Sequence, residues 1–398
     1  MGLRHSKFKL VFMPSEVIPL LQSLIQIPSV NPDSAKNQRD NILGEKKMAG
    51  HVADYLKAIG YTVTLEEVQP HRPNVIARAP YEKNSLDPRP RILLGPHLDT
   101  VTVEGMTIEP FSGEIRDGKI WGRGASDTKG PMAAMLQALS NCQDILAKLP
   151  VAVDFIGFMG EEAYQHGSKD FAEKYATDYK FALVGEPTSL QIVHTTKGSL
   201  WATIRAEGKA AHASQPELGE NAILKLTRAL HLLDSDFSKE LATYTHHILG
   251  KTSLNIGTIN GGSIPNIVPE KASAQLDIRT TPSIFEQGGA LSLLEAFIAQ
   301  HQLPLTISAS DENPPMDIPV DCPWIKQMQT ANSESKLVGA PWFSDAAHLS
   351  HQGLHAICIG PGSIEQAHTK DEFISIEDLE SGVTYFEQFI RSLSSMRL

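Results

Sequence analysis

Strand-like and helix-like stretches alternate along the chain, and the apolar runs at 91–95, 151–159 and 181–184 lack clean in-out alternation. Continuous runs of this length predict strands buried on both faces of a sheet, in an α/β layer arrangement. Between two of them, 131–149 predicts a helix with Pro131 in its first turn, where the missing N–H costs nothing. Near the start of the chain, Ser15 can cap a helix whose Val17, Leu20, Leu21, Leu24 and Ile25 share one face. The texture changes from about 199 to 309, where Leu200, Ala202, Ile204 and Ala274, Leu276, Ile278 alternate with polar positions and helices are predicted near 220–234 and 284–301. This pattern predicts a smaller α+β domain, 198–310, with one exposed sheet face. It is inserted in a mostly parallel-sheet α/β domain made of 13–197 and 311–398, which closes with a helix near 376–394.

A length of 398 residues exceeds what one core supports, in keeping with two domains. A formal net charge of −11 with no Lys/Arg cluster excludes a general nucleic-acid binder. Cys142, Cys322 and Cys358 lie far apart without the paired spacing of zinc ribbons, and are read as buried thiols in a reducing compartment. The apolar run Leu10 to Met13 is too short for a signal-peptide core or a membrane span, so a cytoplasmic location is expected and no membrane partner. The opening Met-Gly-Leu-Arg-His-Ser matches the myristoylation pattern, but so loose a match is read as coincidence, and Met13 is an alternative start.

Candidate chemistry gathers where the apolar runs end, which is where open α/β sheets bind ligands. Five clusters stand out: His97-Leu-Asp99, the Gly122–Gly130 stretch with Asp127, Glu161-Glu162, Glu186, and His368 after the strand-like Ala356–Ile359. Any one of them has a structural explanation, since loop histidines and adjacent glutamates are usually solvated. Five sets of metal-ligand residue types converging on one crevice have no such explanation. His97 and His368 as neutral imidazoles, with Asp127, Glu162 and Glu186 as carboxylates, carry a charge of about −3, which two divalent cations and a hydroxide balance. Nitrogen and carboxylate donors without thiolate suit a pair of zinc ions, with cobalt or manganese as substitutes. Asp99 can fix the His97 ring from behind, and Glu161, left without ligand duty, suits a general base.

The ordered motifs His-Leu-Asp-Thr-Val, Gly-Arg-Gly-Ala-Ser-Asp-Thr-Lys-Gly, Gly-Glu-Glu, Gly-Glu-Pro-Thr and Gly-Pro-Gly-Ser-Ile-Glu-Gln-Ala-His resemble those of the dinuclear zinc amidohydrolases. That family includes acetylornithine deacetylase, succinyl-diaminopimelate desuccinylase, aminoacylase and glutamate carboxypeptidase, and the resemblance runs from about 15 to 394. It implies that Asp127 bridges two zinc ions per subunit, with His97 and Glu186 completing one site, Glu162 and His368 the other, and Glu161 the base. It also implies a cis peptide between Asp127 and Thr128. In the inserted domain, Gly208-Lys-Ala-Ala-His212 resembles the loop whose histidine reaches the active site of the second subunit of a homodimer to stabilise the oxyanion. Asn266, Arg279 and Gly362 resemble substrate-binding residues, the first two for a carboxylate, to which a planar guanidinium is well matched.

Two departures are visible: Pro96 precedes the first ligand, and Tyr164-Gln165-His166 replaces a smaller, glycine-richer stretch, so that His166 is either an exposed loop histidine or a rim residue. The expected reaction is removal of an acyl group from the nitrogen of a small carboxylate-bearing substrate, such as an N-acyl amino acid. A dipeptidase or carboxypeptidase using the same metals is the alternative, disfavoured because Glu at 186 resembles the deacylase branch, where peptidases more often carry Asp.

Overall fold

The computed structural model describes residues 17–35, 40–81, 87–309 and 311–396. The expectations for Ser15, for the myristoylation pattern and for Met13 lie outside these residues. Contacts divide the chain into two units, the first comprising Met1–Ile192, Val320–Leu337 and Gln352–Leu398, the second Val193–Pro319 and Val338–His351.

In the first unit the strands lie in the order Thr62–Gln69, Arg72–Arg78, Ala152–Gly157, Arg91–Pro96, Tyr179–Gly185 and Ala356–Cys358. The last four pair in parallel and are almost wholly buried, which is why their sequences run apolar without alternation. The sheet is mixed, however, because the first two pairings are antiparallel. The cause is local: only Pro70 and His71 separate the first two strands, with His71 at φ 64°, and so short a link can only return the chain antiparallel. Over the sheet, the buried Lys129–Asn141 helix packs against Ile376–Ser392 and Val17–Ile25. The helix expected over 131–149 ends early at Cys142 and resumes as Gln143–Leu146. All three cysteines are buried and none is in a disulfide. Among the described residues no helix is long and apolar enough to cross a membrane.

The second unit holds a four-stranded antiparallel sheet in the order Ser253–Gly261, Lys271–Thr280, Gly198–Glu207, Leu305–Ala309. Leu200, Ala202 and Ile204 meet Ala274, Leu276 and Ile278 on one face. The helices Ala222–Leu232 and Gly289–Gln300 cover that face through Leu226, Leu294 and Phe297. The other face is open. This unit is larger than 198–310: it begins at Val193, runs to Pro319 and takes in Val338–His351.

Candidate active site

Four side chains of the site follow parallel strands of the first unit. His97 comes after Arg91–Pro96, Glu186 after Tyr179–Gly185, and Glu161 and Glu162 a few residues after Ala152–Gly157. Asp127 does not. It lies between the short Lys119–Trp121 strand of a separate three-stranded sheet and the Lys129–Asn141 helix, and its peptide bond to Thr128 is cis. His368 lies ten residues beyond the last parallel strand, with a left-handed φ of 61°.

These residues form two groups that share Asp127: His97, Asp127 and Glu186, and Asp127, Glu162 and His368, with the ligand atoms of each group within 4.8 Å of one another. His97 Nε2 lies 3.0 Å from Asp127 Oδ1, while His368 Nε2 lies 3.0 Å from Glu162 Oε2 and 3.4 Å from Asp127 Oδ2. His97, Asp127 and Glu186 are buried, whereas the His368 side chain is 56% exposed.

Crowding carboxylates out of water shifts the proton equilibria of Glu162, His368, His97 and Asp127. Burial, reinforced by the Asp127 charge, pushes the Glu162 carboxyl up to about 7. Hydrogen bonds to Asp127 and Glu162 raise His368 to about 10. Burial opposes a charge on His97, yet its bonds to Asp127 and Asp99 hold its pKa well above the ordinary histidine value. For Asp127 burial is likewise outweighed, and the two imidazoles keep it below the usual carboxylate range. The imidazoles thus supply the positive charge that three carboxylates require. Divalent cations fit the same place: the donors are nitrogen and carboxylate oxygen only, and Glu162 Oε1 is buried with no hydrogen-bond partner.

Asp99 has partners on two sides. His97 Nδ1 is 2.9 Å from the Asp99 carbonyl oxygen, whereas the Asp99 carboxylate is 3.6 Å away. That carboxylate already accepts from Asn31 Nδ2 at 2.7 Å and from the backbone N–H groups of Glu161 and Glu162, each at 3.0 Å. It therefore orients the glutamate pair as well as lying close behind the His97 ring.

The sequence pattern described as Peptidase family M20/M25/M40 matches residues 93–392. The chain belongs to this family. Solved structures of similar fold include an M20 family metallo-carboxypeptidase from Sulfolobus solfataricus, 21% identical with a TM-score of 0.77 over 96% of this chain and 100% of that one. A tripeptidase from Staphylococcus aureus is 20% identical, with a TM-score of 0.74 over 96% and 99%. A dinuclear metal binding peptidase from Bacillus subtilis is 14% identical, with a TM-score of 0.63 over 95% and 96%. Membership in the M20/M25/M40 family makes the chain a hydrolytic enzyme.

Several residues that hold this M20-family site gave no signal in the sequence. Glu372 is buried and accepts from the N–H groups of Gly124, Ser126 and Asp127 and from Arg123 Nη1, fixing the loop that ends in Asp127. Asn74 accepts from Met159 N at 3.0 Å and donates to Gly167 O at 2.9 Å, bracketing the Glu161-Glu162 loop. A Cβ on Gly167 would stand 2.3 Å from Met159 O, so no other residue fits there. Gly362 has a structural duty: its φ is +84°, its carbonyl accepts from Ser189 N at 2.7 Å, and a Cβ would lie 2.7 Å from Ser126 Oγ. His166 opens the helix His166–Tyr175, its ring 5.8 Å from that of Tyr164.

The remaining expected residues belong to the second unit. Ala213 N donates to Asn266 O and Val268 N to Ala211 O, so exposed His212 lies opposite Ile267 on paired segments, one position along from exposed Asn266. Nδ1 of His212 is 2.7 Å from Ser214 Oγ. Arg279 donates to Asp277 Oδ2 through Nε at 3.2 Å and Nη2 at 3.0 Å.

Proposed function

We propose that the chain is a two-metal amidohydrolase that removes an acyl group from the nitrogen of a small carboxylate-bearing substrate. The observation that carries this reading is the pair of ligand groups sharing Asp127, with Glu161 beside them and in neither. His97, Asp127 and Glu186 would hold one divalent cation, and Asp127, Glu162 and His368 the other. Zinc is the best match to these donors, with cobalt or manganese able to replace it. Such a pair supplies Lewis acidity, lowering the pKa of a water and polarising the acyl carbonyl.

The chain's own groups do the rest. Glu161, on a loop oriented by Asp99, takes a proton from the attacking water and returns it to the leaving nitrogen. Asn266 and Arg279 hold the substrate carboxylate, and Asp277 pre-orients the guanidinium. The chain acts as a homodimer in which the partner's His212 donates to the developing oxyanion. The products are a carboxylate and a free amine.

A second reading, cleavage of a peptide bond by the same residues, is favoured by the similar folds, which include a carboxypeptidase and a tripeptidase. The two are separated by a hydrolysis screen of N-acetyl and N-succinyl amino acids against dipeptides, with zinc or cobalt added. Metal-dependent release of amine from the acyl compounds supports the first reading, release from dipeptides alone the second. No hydrolysis of either class by metal-loaded protein refutes both.

A further inference from the structure

The open face of the small sheet carries one large apolar side chain. Leu200, Ala202, Ile204 and Ala206 of the Gly198–Glu207 strand point into the helix-covered core, so Ser199, Trp201, Thr203 and Arg205 stand on the opposite face. Trp201 is 59% exposed, the most exposed large apolar side chain among the described residues. Its neighbours on that face are polar: Thr203 on its own strand, Gln275 and Asp277 on the next, and Asn255 beyond.

Beside it stand two cationic side chains. In the antiparallel register Trp201 faces Asp277, and Ser199 faces Arg279, so Trp201 and Arg279 are diagonal neighbours at a spacing that long and aromatic side chains bridge. Lys197, one step further along the same face, is buried and donates from Nζ to Lys251 O at 2.5 Å. Burial, and after it the Arg279 charge, lower its pKa. Two cations against the single Asp277 carboxylate leave this end of the face positive, with an aromatic wall next to it. A carboxylate with an apolar group a few bonds away matches both features.

We propose that Trp201 is a specificity-determining residue, packing against an apolar or aromatic side chain of the substrate while Arg279 and Lys197 hold its carboxylate. The favoured substrates are then N-acylated leucine or phenylalanine, or dipeptides ending in them, over glycine or aspartate counterparts. This rests on the role proposed above for Arg279.

The test compares kcat/KM for N-acetyl-leucine, N-acetyl-phenylalanine, N-acetylglycine and N-acetyl-aspartate, and for glycyl-phenylalanine against glycyl-glycine, in wild type, Trp201→Ala and Trp201→Phe. Wild type should prefer the apolar substrates by at least about tenfold, mainly through KM, the scale of discrimination an apolar contact provides. Trp201→Ala should collapse that ratio to within about threefold, while Trp201→Phe, still aromatic, keeps most of it. An absent preference in wild type, or a preference that survives in Trp201→Ala, overturns the inference while leaving the hydrolase reading intact. A uniform loss across all substrates with the ratio preserved overturns it as well. If wild type cleaves none of the substrates, the hydrolase reading fails and takes this one with it.

Discussion

Glu372 carries the loop that delivers Asp127, and its removal has a magnitude that can be worked from the contacts. Its carboxylate accepts from Gly124 N, Ser126 N and Asp127 N at 2.9, 2.9 and 3.0 Å and from Arg123 Nη1 at 2.7 Å. Glu372 is fully buried and Arg123 is 3% exposed. In Glu372→Ala three buried amides lose their acceptor, each at a cost of about 1–3 kcal/mol. A stranded guanidinium adds about 3–5 kcal/mol when nothing else compensates it. Arg123 keeps its bonds to Thr102 O and Thr369 O, and water can reach a loosened loop, which brings the net loss to the lower end. A destabilisation of about 4–6 kcal/mol is expected, a large share of the roughly 5–15 kcal/mol that holds a native protein together. Glu372→Gln keeps the shape and one acceptor and should fall between alanine and wild type. Replacing Arg123 by Met in the Gln background should recover part of the loss, because the buried charge goes with it. Urea unfolding of each variant reads stability, and chelator competition reads metal affinity, which should weaken by at least about 10–100-fold as Asp127 loses its support. If Glu372→Ala unfolds within about 0.5 kcal/mol of wild type, the range of a neutral surface change, and holds metal as tightly, the loop is not held by Glu372.

Glu161→Ala should retain both metals by elemental analysis while turnover falls by about 10²–10⁴-fold, the range for a lost general base; loss of a metal would mean that Glu161 is a ligand. His368, raised from 6.5 to about 10, keeps its charged contact with Asp127 in full below pH 6.5 and loses it as pH rises through about 10, whereas its contact with Glu162 carries both charges only above about pH 7. Because only the neutral imidazole ligates, metal affinity measured by buffered competition should rise between about pH 7 and 10 and fall further below 7 as Glu162 protonates, and a flat profile would contradict the ligand set. Mixed dimers of Glu161→Ala and His212→Ala chains should regain activity through one intact site, and proven subunit exchange without recovery would remove His212 from the mechanism.

What the sequence made legible was whatever its local pattern encodes. Strands buried on both faces announce themselves as unbroken apolar runs, and the carboxylates and imidazoles that follow them mark the site. The second unit's core face was equally plain, since Leu200, Ala202 and Ile204 repeat with the period of a half-buried strand. The supports of the site left no such trace. Asn31 reaches Asp99 across 68 residues, Asn74 reaches Met159 across 85, and Glu372 reaches Asp127 N across 245, so nothing near any of them in sequence distinguishes it from a surface polar residue. The second duty of the Asp99 carboxylate is hidden for a related reason: His97 is two residues away, but the amides of Glu161 and Glu162 that it also accepts from are brought close only by strand pairing. The antiparallel edge of the first sheet leaves no apolar run, because no residue of Thr62–Gln69 is buried.

The account stands most directly on the number of metal ions the five ligands hold. Apo protein titrated with zinc, with bound metal counted by elemental analysis after removal of excess, should take up two ions per chain. Asp127→Ala, which removes the residue common to both groups, should lose both, whereas Glu186→Ala or His368→Ala should lose one. A wild-type chain that binds one ion or none, or an Asp127→Ala chain that still holds two, would contradict the shared-ligand site and the chemistry built on it.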